Sequence, residues 1–204
     1  MADGSVKPIS SLIKDDRVLC NLTPPGGQPV TATVACILIK LHDMSKFPIA
    51  GLNLLCTEEI PIKDPSTGQW KKAEDLVPFS QRRQSSKASP SYSVLLEEEA
   101  PLHSIVVENV VVAALGCNAR EGYSWDQDGV YNLNPFWEFY GNHGKVSEEA
   151  REVNPTGFQK GRVLVGGIRR CGDDDGFCIE AFQPFWGPTP AWLEEDGGQP
   201  SEST

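Results

Sequence analysis

The chain has no apolar stretch approaching the ~18 residues that a bilayer-spanning helix needs, which excludes a helical membrane span. Basic residues are scarce: 18 Lys and Arg stand against 28 Asp and Glu, for a net charge of −10. That balance argues against a nucleic-acid surface, which needs a clustered positive face. Histidine occurs only three times, and the six cysteines (Cys20, Cys36, Cys56, Cys117, Cys171, Cys178) include no CxxC pair. Zinc is disfavoured on that count, and neither a metal nor a cofactor is expected. The opening MADGSVKPISS lacks the apolar core of a signal peptide. A cytoplasmic location with all six thiols reduced is therefore the expectation. A Cys171–Cys178 disulfide across GDDDGF is the less favoured reading, and that turn is too tight for a calcium loop, which alternates its oxygen ligands and ends in a distal glutamate.

What the chain does have is β-branched sequence in short runs. Its 204 residues, 39% of them hydrophobic, suffice for one domain or two small ones. The organising stretch is 91–117, SYSVLLEEEAPLHSIVVENVVVAALGC. Tyr92 to Leu96 is a strand closed by Glu97, Glu98 and Glu99. His103 to Val107 restarts one, and Glu108-Asn109 is a polar break. Val110 to Leu115 is a continuous apolar run that fits a strand buried on both faces, with Gly116 ending it and Cys117 at its exit.

Earlier in the chain, 17–20 is a short strand and 30–41 (VTATVACILIKL) a long one whose first part alternates as if half-buried. Residues 44–51 read as a turn, 52–56 as a strand, and Asp64-Pro65-Ser66-Thr67-Gly68 as a hairpin loop. Trp70 resumes a strand that runs into one helical turn by Leu76. The Ser-rich 81–90 is an exposed loop. Later, Phe136 to Tyr140 is an aromatic cluster expected to bury a face, and 145–153 a helix stopped by Asn154-Pro155. Residues 161–170 and 177–182 are partner strands. The fold class expected is mostly β, some ten short strands with one short helix.

The order of these pieces resembles the Hint domains, the module shared by inteins and the hedgehog C-terminal region. ADGSVKPISSLIKDDRVL is similar to their opening, with its DG, I-x-x-L and Gly-Asp turn. GLNLLCTEEIPIKDPSTGQWKKAEDL resembles their second block, a strand ending in Thr-x-x-His-Pro followed by a W-x-x-A-x-x-L hairpin. The nearest variant is the Vint domain, found with von Willebrand A domains, in which a Leu-Gly-His, a His-Pro-Phe-Phe-Gly box, a helix and a Gly-Arg-Val strand follow. Here these read Leu115-Gly116-Cys117, Asn134-Pro135-Phe136 with Phe139-Tyr140-Gly141, a helix candidate, and Gly161-Arg162-Val163. The resemblance covers about residues 2 to 182. It implies a flattened horseshoe of β-strands in 1–118, a Vint-type extension packed on it in 119–185, and a disordered acidic tail in 186–204.

The chemistry implied for active Hint domains is an N-to-S acyl shift. A Cys or Ser side chain attacks the preceding carbonyl, a histidine protonates the leaving amide nitrogen, and a threonine polarises the amide. The family's nucleophile would lie upstream of Met1. Thr57 matches the family threonine, but the histidine three positions on falls at Ile60, that of Leu-Gly-His at Cys117, and that of His-Pro-Phe at Asn134; the turn glycine falls at Asp15. The leading reading is a degenerate domain without autoprocessing, an interaction or structural module with a protein partner or a covalently linked upstream domain of von Willebrand A type. The alternatives are a fragment of a self-processing protein that retains Thr57 and Cys117 with His103 as substitute base, and an unrelated β-sandwich or barrel. Glu58 and Glu59 are adjacent on a strand and point to opposite faces, so they make no carboxylate dyad.

Overall fold

The computed structural model describes residues 1–22, 27–41, 47–48, 55–56, 60–76, 90–117, 140–171 and 178–190. Thr57, the Glu58-Glu59 pair, the loop 81–89, the stretch 118–139 with Asn134 and most of the aromatic cluster, the turn 173–176 and the tail from 191 lie outside the described residues.

The chain is mostly β. The spine is β2 (Thr31–Lys40), with β1 (Arg17–Leu19) antiparallel to its first three residues. Beyond these, β7 (Ser91–Leu96) runs antiparallel and β10 (Arg162–Cys171) parallel along the same residues, Ile37–Lys40, so they flank β2 on its two sides. Against β10 lies β11 (Cys178–Pro184), antiparallel, with Cys171 opposite Cys178 in the register. A second sheet has the order β6-β5-β9-β8, from β5 (Pro61–Lys63), β6 (Trp70–Lys72), β8 (Ser104–Val107) and β9 (Val110–Ala113). A small ladder joins β3 (Phe47–Pro48) to β4 (Leu55–Cys56).

The burial of β2 explains the shift in its sequence pattern. Ile37 and Ile39 face the second sheet, in a core with Val18, Ile62, Leu96, Ile105 and Val112. Cys36 and Leu38 face the other way, onto Val146, Ala150, Val163 and Phe182. With both faces covered, alternation gives way to a continuous apolar run. The same holds for Val110 to Leu115, all of them buried. This run also joins the two sheets: β9 belongs to the second, and two residues on Leu115 bridges Leu95 of the first, its amide donating to the Val94 carbonyl at 2.8 Å. Ser104 adds a tie between the layers, its buried Oγ donating to the Cys20 carbonyl at 2.6 Å.

Turn chemistry sets the hairpins. Glu108 (φ 49°) and Asn109 (φ 63°) are both left-handed and place Val107 opposite Val110, the signature of a tight two-residue turn. In the β5–β6 turn, the Asp64 carboxylate accepts from Ser66 N, Ser66 Oγ, Thr67 Oγ1 and Lys71 Nζ, the last at 2.7 Å. The Lys71 ammonium, followed by Ser66, holds that carboxyl far below the usual carboxylate range.

Several local expectations need correction. The helix begins at His143, two residues before the predicted start, because Asn142 caps it by accepting from the Lys145 amide at 3.0 Å. Asn154-Pro155 ends this helix, α1 (His143–Val153), but also starts a second, α2 (Pro155–Lys160). Asn154 serves both: its N–H bonds Ala150 O, and its Oδ1 accepts from Gly157 N at 2.7 Å. Proline fits the first helical position, where its missing N–H is not needed. Phe47–Pro48, inside the predicted turn 44–51, is a short strand. Apart from these corrections, β7 and β8, neighbours in sequence, go to different sheets.

Candidate functional site

The exit of β9 is where the described chemistry-bearing groups gather. Successive amides there bond three different segments of the chain: Ala114 N to His103 O at 3.0 Å, Leu115 N to Val94 O at 2.8 Å, and Gly116 N to Tyr140 O at 2.6 Å. Gly116 sits at φ 82°, and a Cβ there would meet His143 Cβ at 2.7 Å, so only glycine admits the helix start this close. His143, at the first position of α1, thus lies directly on the Leu115-Gly116-Cys117 backbone.

The structure pairs His143 with His103. Their ring centroids are 4.7 Å apart and the rings are tilted by 51°. His143 Nε2 lies 2.8 Å from the Leu96 carbonyl, which can only accept, so Nε2 carries the proton. Among the described residues, the buried His103 Nδ1 has no hydrogen-bond partner. Burial pushes the His103 imidazole below its ordinary value, and His143 pushes the same way; the Glu98 backbone and carboxylate pull partly back. His103 is therefore held neutral.

Cys117 is buried beside Ala113, with Trp70 packed against the pair. Burial alone pushes its thiol up to about 12. At pH 7 such a thiol holds on the order of 10⁻⁵ of its population as the thiolate that nucleophilic attack requires. Ile60 packs against the main core, its carbonyl accepting from Ala73 N at 2.9 Å. Thr57 lies outside the described residues. Among the described residues no three His, Cys, Asp or Glu side chains could hold a metal ion together.

At the N-terminal end, Ala2 N donates to Arg17 O, Arg17 pairs with Thr33, and Thr33 O accepts from Glu97 N. Ala2 is thus three strand spacings, roughly 14 Å, across the sheet from Glu97. Asp16 turns the chain into β1 by accepting from Ile13 N and from Lys7 Nζ at 2.6 Å, while Asp15 takes φ 71°. A model of the Vint family, described as a Hint-domain, matches residues 1–172 of the chain.

The chain belongs to the Vint family of Hint domains. The match disposes of an unrelated sandwich or barrel. Comparison with curated proteins gives no match. The family stretch takes in the second sheet, α1, α2 and the first sheet as far as β10, and stops before β11, which nonetheless pairs along β10. At this Vint domain's turn into β1, Asp15 occupies the left-handed position where the resemblance puts a glycine.

Sequence reasoning missed His143. Its one signal was Asn142 as a helix cap, and Gly144, a poor helix former, obscured it. The contact with His103, forty residues earlier, had no signal at all. No described helix is long and apolar enough to cross a membrane. A groove of ≈ 470 Å³ is lined by Leu41, Gln183, Phe185, Trp186 and Pro188 among others, with no titratable side chain, so it holds no acid–base set.

Proposed function

We propose that this Vint domain performs no peptide-bond rearrangement and serves as a structural or interaction module, with a protein partner or a linked upstream domain. The observation that carries the reading is Ile60. Where the resemblance places the histidine that protonates the leaving nitrogen, an aliphatic side chain packs against the main core. An amide nitrogen cannot leave without a proton, and isoleucine has none to give.

The other residues support the same reading. Cys117 is buried with its thiol pushed up to about 12, which suits a packed side chain and not a nucleophile. His103 is held neutral by burial, so near pH 7 it is a poor proton donor. Its partner His143 has committed one nitrogen to the Leu96 carbonyl.

The test is intact-mass spectrometry of the domain expressed behind its natural upstream sequence, incubated with and without dithiothreitol or hydroxylamine. The expected result is one uncleaved mass under all conditions. A thiol-dependent fragment beginning within or just before the opening residues overturns the proposal and restores the self-processing reading with Thr57, Cys117 and His103.

A further inference from the structure

We propose that the His103–His143 pair is an acid-sensitive clasp that fastens the start of α1 to the β core near neutral pH and loosens on acidification.

The geometry gives three reasons. The rings lie at 4.7 Å, so two imidazolium charges would face each other across a single ring-to-ring contact. His143 is the first residue of α1, where the unpaired N–H groups and the helix dipole already present positive charge. His103 Nδ1 is buried without a hydrogen-bond partner among the described residues; as a lone pair that costs little, but once protonated it is a buried charge that the Glu98 backbone and carboxylate offset only in part. Each reason opposes the doubly charged state, and none opposes the neutral one.

Other groups leave this balance intact. Among the described residues, those acting on the His103 charge are His143 from α1 and Glu98 from the turn after β7, and Glu98 favours the charged form less than burial and His143 disfavour it. The run after β9, which bonds His103 through Ala114, brings apolar side chains and the Cys117 thiol; Tyr140, just before α1, is a buried phenol. That thiol and phenol both stand at about 12 and carry no charge between pH 5 and 8. A shared metal does not account for the pair. The rings contact as a tilted stack, whereas a metal binds in the imidazole plane, and no third ligand joins them among the described residues.

What lets go is defined by the contacts His143 holds: its Nε2 bond to the Leu96 carbonyl and its seat on Gly116. Val146 and Ala150, one and two turns on, remain buried against β2 and β10. The release is therefore local to the first turns of α1.

The experiment is a proton NMR titration of the imidazole resonances of the full chain between pH 8 and 5, with amide exchange protection in 143–153 read at both ends of the range. His103 is expected to titrate below 6.5, and protection in the first turns of α1 to fall at least tenfold relative to β2. In urea, the folded-to-unfolded ratio of the wild type should drop between pH 7 and 5 by several-fold more than that of His103→Gln. His103 titrating at or above 6.5, or α1 protection that tracks β2 throughout, overturns the proposal. So does a parallel loss of stability in wild type and variant. The titration and exchange use the unaltered protein, so failure of a variant to fold leaves the decision in place.

Discussion

At the scale of single residues, Asp15 departs from what its backbone favours. Asp15 holds φ 71°, where a side chain costs about 1 kcal/mol and glycine costs almost nothing. Asp15→Gly is expected to stabilise the fold by about 0.5–1 kcal/mol, read as a higher urea midpoint at unchanged m-value. Gly116 is the reverse case. Gly116→Ala meets both a left-handed backbone and His143 Cβ, and should cost about 3 kcal/mol. Cys117 was the exit residue singled out in the sequence, and its position at the end of the apolar run is where the structure has it; that it is buried and protonated could not be read from a single strand. In the native protein it should resist iodoacetamide at pH 8 and react fully in urea, by mass spectrometry.

At the scale of elements, alternation in 31–35 and continuous apolarity in 110–115 gave the strands, because each records how many faces its strand has covered. Asp64-Pro65-Ser66-Thr67-Gly68 gave its hairpin because the aspartate satisfies the turn locally. Partner choice was less legible. That β7 pairs with β2 and β8 with β9, or that β10 joins β2 in parallel, is decided by contacts across many residues of chain and leaves no local trace. The β8–β9 turn can be improved in kind: Asn-Gly favours two left-handed residues more than Glu-Asn does. The double substitution Glu108→Asn, Asn109→Gly should raise the thermal midpoint by a few degrees, corresponding to about 1 kcal/mol.

At the scale of the whole molecule, buried thiols bound the alkaline end of stability. Burial raises Cys36 and Cys117 to about 12 and Cys20 to about 11, against an ordinary 9.0. The folded state then binds more protons than the unfolded chain above pH 9, so stability is full below that value and lost as pH rises toward 11–12. Cys36 and Cys117 should each cost about 1.4 kcal/mol by pH 10. The acid side mirrors this through His103: its lowered folded value means stability is present above 6.5 and lost as pH falls below it. Urea midpoints across pH 5 to 11 should trace an arch with its top between about 7 and 9.

The six residues from Val110 to Leu115 lie in one sheet at their start and bridge the other at their end. A segment held by both layers cannot be released by either alone. Heating should accordingly dissolve the two sheets in a single event, with a calorimetric enthalpy that equals the van't Hoff value.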